Sequence, residues 1–126
     1  MDTLTRQGHQ IVVESAGTVR IIRVRGRLDW ETARSFRDRM RDEWTQGPLA
    51  IDLAYTSGLD SSGAGVVLAA AARAQRRGQP LVLVSRDPAL IEVLSSPSLG
   101  LTAPIVDSRA AALHLLHEPC QPVSRS

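Results

Sequence analysis

The sequence has no lysine and no asparagine, and all 15 of its Lys and Arg positions are arginine. A lysine Schiff base, a phosphate-loop lysine and the switch lysine of a receiver domain are therefore excluded. Cysteine is nearly absent too: the single one, Cys120, lies in a proline-containing tail and has no partner within the chain for a disulfide. No uninterrupted apolar run reaches the ~18 residues that suggest a bilayer-spanning helix. Met1 to Gln10 is polar and carries no apolar signal-peptide core. The expectation is a cytoplasmic protein with no direct membrane insertion. The arginine bias also fits the codon chemistry of a GC-rich bacterial genome. Excess charge of one sign is scarce as well. The pI is near 9.5, yet the formal net charge is only +2 because acids are interleaved with the arginines. So weak a long-range field argues against a nucleic-acid partner.

What is present is ordinary globular material: 126 residues, 43% hydrophobic and 22% charged, enough for one core without disulfides or metal. No repeat or low-complexity segment breaks it. The organisation expected is an N-terminal arm at 1–9, one domain at 10–117 and a frayed tail at 118–126.

Gln10 to Glu14 and Thr18 to Arg25 read as strands of an antiparallel hairpin across Ser15-Ala16-Gly17. In the second, Val19 and Ile21 take one face, Ile22 and Val24 the other. Gly26-Arg27-Leu28-Asp29 breaks the alternation and puts Asp29 where a helix N-cap belongs. From Trp30 to about Gln46 the apolar residues Trp30, Ala33, Phe36, Met40 and Trp44 fall on one helical stripe. Leu49 to Leu53 is a short buried strand, Tyr55 to Asp60 a loop, and Ser61 or Ser62 opens a second helix running to about Arg77. Its middle, Val66 to Ala74, is apolar nearly all round and belongs against a sheet. After Gly78 come the strand Leu81 to Val84, a short helix from Pro88 through Leu94, a strand at Ala103 to Val106 and a last helix capped by Asp107 or Ser108. The order ββαβαβαβα predicts an α/β fold, a mixed sheet with helices packed over it.

The segment Asp60-Ser61-Ser62-Gly63-Ala64-Gly65 places two hydroxyls beside glycines at a helix start. Two readings stand. Ser61 or Ser62 caps the helix while Asp60 supports the turn. Alternatively, the free amides and positive dipole end favour an anion, such as a phosphate on Ser61, with Gly63 and Gly65 keeping the approach clear. Catalysis finds little support: no Gly-x-Ser-x-Gly elbow surrounds either serine, and the histidines His9, His114 and His117 are tied to neither. His114 and His117 share a helical spacing, but Cys120 beyond them follows Pro119, so no metal and no cofactor are expected. The charged outer face of the first helix is either solvated with i,i+4 pairs or a partner-docking stripe using Arg34, Arg37 and Arg41.

Gly26-Arg27-Leu28-Asp29 followed by Thr32-Ala33 resembles the Gly-x-Leu-Asp-x-x-Thr-Ala segment that opens the first helix of STAS domains. Leu49 to Leu53, then Leu59-Asp60-Ser61-Ser62-Gly63, resembles that family's central strand and Asp-Ser-Ser/Thr-Gly loop. Gly78-Gln79-Pro80 with Leu81 to Val84, and Pro88 through Leu94, are similar to the strand and short helix that follow.

The resemblance implies a STAS-like mixed sheet and a regulatory module that is not an enzyme. In its anti-sigma-factor antagonists the first serine after the aspartate is phosphorylated by the anti-sigma factor, a serine kinase. Carried over, Ser61 is the phosphoacceptor, Ser62 a minor or supporting hydroxyl, and Asp60 and Gly63 support the site. Asp29, Arg34, Arg37 and Arg41 become partner-binding candidates, and a serine phosphatase a possible second partner. The alternative within the resemblance is a non-catalytic subunit of a bacterial phospholipid or solute ABC transporter.

Overall fold

The computed structural model describes residues 10–43 and 47–117. The expected arm at 1–9 with His9, the stripe residue Trp44, and the tail at 118–126 with Cys120 lie outside the described residues.

The chain runs β1 (Gln10–Ala16), β2 (Val19–Leu28), α1 (Trp30–Glu43), β3 (Leu49–Asp52), β4 (Thr56–Leu59), α2 (Ser61–Arg76), β5 (Leu81–Val84) and α3 (Pro88–Leu94). A 3₁₀ turn (Pro97–Leu99), β6 (Ile105–Val106) and α4 (Arg109–His117) complete it. Six strands form the sheet, in the order β1-β2-β3-β5-β6 with β4 attached to β2. Only β1 and β2 pair antiparallel, in the register Ala16 to Val19 through Gln10 to Arg25; the remaining pairs are parallel. The expected mixed α/β sheet is what forms.

Alternation along the strands sorts the core into two layers. Ile22, Val24, Leu49, Ile51, Leu81 and Leu83 bury against Phe36, Met40, Val67 and Leu94 from α1, α2 and α3. Residues on the opposite strand faces, Val19, Ile21, Ala50, Val82 and Val84, bury against Ala112 and Leu116 of α4. Phe36 is fully enclosed, which anchors α1 to the sheet.

Two expectations are corrected. Thr56 to Leu59, read as loop from its polar, glycine-containing composition, is the strand β4. The reason is non-local: β2 continues past the end of β3, and its Gly26–Leu28 stretch pairs with β4 to satisfy backbone groups left without β3. Thr56 fastens the strand by donating its hydroxyl to the Val24 carbonyl at 2.8 Å. Gly26, at φ 90, lies where that register shifts, a backbone geometry open mainly to glycine. The last strand is also shorter than expected, only Ile105–Val106.

Candidate functional site

Two helices begin at the same corner of the sheet, and two aspartates build it. At the end of β2, Asp29 Oδ1 accepts from the backbone N–H groups of Glu31 and Thr32 and from the Thr32 hydroxyl, each at 3.1 Å. That is the expected N-cap of α1. The Thr32 N–H contributes most to holding the Asp29 carboxyl below its ordinary value of 3.8; the Thr32 hydroxyl, the Glu31 N–H and nearby Arg27 add to it, while burial opposes.

At the end of β4, Asp60 does the corresponding job for α2. Its Oδ1 accepts from the Gly63 N–H at 2.9 Å, and its Oδ2 reaches across to the Trp30 N–H at 3.1 Å. One carboxylate therefore satisfies orphan donors of two helices and ties their starts together. The expectation that Ser61 or Ser62 caps the helix is overturned: Asp60 is the N-cap. Its carboxylate reaches both donors from the strand end, whereas the serines already belong to the first turn.

Ser61 and Ser62 are both exposed. Their amides, as first-turn donors, have no intrahelical acceptor. The Ser61 hydroxyl makes no hydrogen bond with any described residue. Gly63 has a different role from that expected. It is buried, and a Cβ there would stand 2.0 Å from the Leu28 carbonyl oxygen, so its bareness lets α2 pack onto the end of β2. At Gly65, by contrast, an added Cβ would meet open space.

Sequence reasoning missed two residues at this corner. Trp30, assigned to the buried stripe, is 69% exposed. It is the first residue of α1, while Ala33, Phe36 and Met40 on the same stripe are buried as expected. Its position directly after a capping aspartate was the available signal. Arg27 lies 3.7 Å from Asp29 through its Nε and passes over Gly58. Further along α1, Arg34, Arg37 and Arg41 are all exposed, and Arg41 pairs with Asp38 at 2.6 Å.

A separate charge cluster lies on the α4 side of the sheet. Glu14 accepts from Arg109 at 2.6 Å and from Arg23 at 2.7 Å, and Arg109 also reaches the buried Asp52 at 3.5 Å. The Arg109 hydrogen bond is the main cause holding the Glu14 carboxyl below its ordinary 4.5; burial opposes, and Arg23 adds to the lowering. Asp52 spends its other oxygen on the Ala54 N–H at 3.0 Å, so this cluster fastens α4 to the strands. His114 and His117 are exposed on α4, which is capped by Ser108 through the Ala111 N–H. No helix among the described residues is long and apolar enough to cross a membrane.

The model of one protein family, described as "Mlab, STAS domain", matches residues 11–103. Among solved structures, an anti-sigma factor antagonist from Mycobacterium paratuberculosis is similar at TM-score 0.75 and 22% identity, covering 86% of this chain and 94% of its own. The Bacillus cell fate determinant SpoIIAA, in its phosphorylated form, gives TM-score 0.66 and 19% identity over 84% of this chain and 98% of its own. The murine solute carrier 26 family member A9, an anion transporter, gives TM-score 0.65 and 14% identity over 82% of this chain but 18% of its own. At these identities the likeness is one of fold. No curated protein matches the chain by sequence.

Proposed function

This chain belongs to the STAS domain family, and on that premise we propose that it is a cytoplasmic anti-sigma-factor antagonist, switched off by phosphorylation of Ser61. The partner is an anti-sigma factor that is also a serine kinase, and a serine phosphatase restores the active form. The chain itself carries out no catalytic step.

The carrying observation is the state of Ser61: exposed, at the first position of α2, with a hydroxyl that no described residue engages. Because Asp60 does the capping, that hydroxyl is available without cost to the helix. Phosphorylation adds a charge of about −1.5 to −2. The positive end of α2 and the first-turn amides tolerate that charge. A partner surface packed over Ser61 does not, since an uncompensated charge buried there is costly. The phosphorylated form of the structurally similar SpoIIAA supports this reading.

The test is incubation with ATP and a kinase encoded beside the gene, mapping of the modified residue, and partner-binding measurements on wild type, Ser61→Ala and Ser61→Asp. Ser61→Ala should resist modification and keep binding, and Ser61→Asp should bind more weakly. Equal binding by all three proteins despite full phosphorylation of the wild type would overturn the switch. A second reading, a docking subunit of a phospholipid or solute transporter, is favoured by the fold likeness to part of an anion transporter. It differs in outcome: Ser61→Ala and wild type dock equally on a transporter ATPase, with no kinase involved.

A further inference from the structure

Asp60 joins the starts of α1 and α2, and from that corner the two helices leave a groove of about 590 Å³ between them. Its floor is apolar: Met40 from α1 and Val66, Ala69 and Ala70 from α2, laid over the enclosed Phe36. Its rim is cationic, with Arg37 and Arg41 on one side and Arg73 and Arg76 on the other, and no acidic residue lines it. Arg41 is neutralised in part by Asp38 at 2.6 Å, whereas Arg37 and Arg76 make no ion pair with a described residue.

We propose that this groove seats an acidic amphipathic helix of a protein partner, its apolar side on the floor and its carboxylates against the arginine rim. The proposal deepens the function above by naming the partner's chemistry, and rests on that reading only for the partner being a protein.

Charge complementarity selects the occupant. α1 and α2 form the two walls, and the small residues Ala69 and Ala70 on the α2 wall let a third helix approach at close range. A flat anionic membrane would touch the arginines but leave the recessed floor uncovered. A nucleic acid offers phosphates to the rim but nothing apolar to the floor, and the chain's net charge of +2 gives it little long-range pull. The lining runs from Phe36 to Arg41 on α1 and from Val66 to Arg76 on α2, about 15 Å, so about three turns of an occupant fill the groove and a helix of four to five turns extends beyond it toward the corner that holds Ser61 and Trp30.

The probe is a fluorescein-labelled peptide of about 18 residues, with leucines at i, i+3, i+4 and i+7 and glutamates on the flanks. Its binding to the unphosphorylated full chain is followed by anisotropy. It should bind at least about tenfold more tightly than a scrambled peptide of the same composition, and weaken as salt is raised from about 50 to about 500 mM. Arg37→Glu with Arg76→Glu should weaken binding about tenfold or more, and Ala69→Gln should do so without any change of charge. All three positions are exposed, so unchanged circular dichroism and unfolding midpoints separate lost docking from lost folding. Binding indifferent to peptide order, or to both variants, overturns the proposal. So does stronger binding to vesicles of about one-third anionic phospholipid, or to duplex DNA, if it is lost in the Arg37→Glu, Arg76→Glu variant. No kinase takes part, so failure here leaves phosphosite mapping at Ser61 as an independent result.

Discussion

Asp60 and Ser61 are neighbours with opposite stability signatures. Asp60→Ala removes the cap of α2 and also leaves the Trp30 N–H without its acceptor, so it should cost at least the about 0.5–2 kcal/mol typical of a lost cap. Ser61→Ala removes a hydroxyl that bonds to no described residue and should stay within about ±0.5 kcal/mol. Urea unfolding of the two variants checks this directly; equal losses would return the capping role to the serine. Two hydrogen-bonded carboxylates give the fold an acid sensitivity as well. Glu14 and Asp29 both titrate below their ordinary values of 4.5 and 3.8 in the folded chain. Each therefore contributes stability that is fully present above its ordinary value and is lost as pH falls through the lowered folded one. The urea midpoint should drop as pH is taken from about 6 towards 3, and Glu14→Gln should flatten part of that drop. A Glu14→Gln profile parallel to wild type would show that the Arg109 and Arg23 contacts add nothing in solution.

The elements depend on contacts of very different sequence separation. Helix α1 is held by a local pattern, Ala33, Phe36 and Met40 on one stripe, and Phe36 meets core from both the sheet and α2. Phe36→Ala should cost about 3–5 kcal/mol. Strand β4 has no such pattern. It exists because β2 offers a free edge beyond β3 and because Thr56 is bonded to Val24, 32 residues away. Thr56→Val preserves shape but removes that donor, and should cost about 1–3 kcal/mol. Hydrogen exchange at β4 amides in this variant should rise more than at β3 amides. Uniform protection across both strands would mean that the Thr56 bond does not hold β4 in place.

For the whole molecule, the corner holding Ser61 and the α4 charge cluster lie on different layers, so a charge added at Ser61 need not disturb the fold. Phosphorylated protein should keep its circular dichroism and unfold within about 1 kcal/mol of the unmodified chain, while losing its partner. Global unfolding on phosphorylation would replace a surface switch with a stability switch. Much of this architecture was legible beforehand. The 2-residue alternation of β2, the 3- and 4-residue spacing in α1 and the helix-start aspartate Asp29 are local signals, because backbone geometry alone sets their periods. The Asp-Ser-Ser-Gly segment likewise marked the candidate site by residue type. What stayed hidden was whatever depends on a distant neighbour: β4, which needs the edge of β2 that runs beyond β3; the exposure of Trp30, whose N–H is tied to Asp60 30 positions later; the choice of Asp60 over Ser61 as cap. Gly63 belongs with these, since only the Leu28 carbonyl 35 positions earlier makes a side chain impossible there. The sequence by itself determined most of the element types, the alternating faces of β2 and the serine at a helix start, all through short-range periodicity and capping chemistry. The tertiary structure decided which of the adjacent polar groups is consumed and which is left free, because hydrogen-bond partners are assigned only when β2, β4, α1 and α2 meet at one corner.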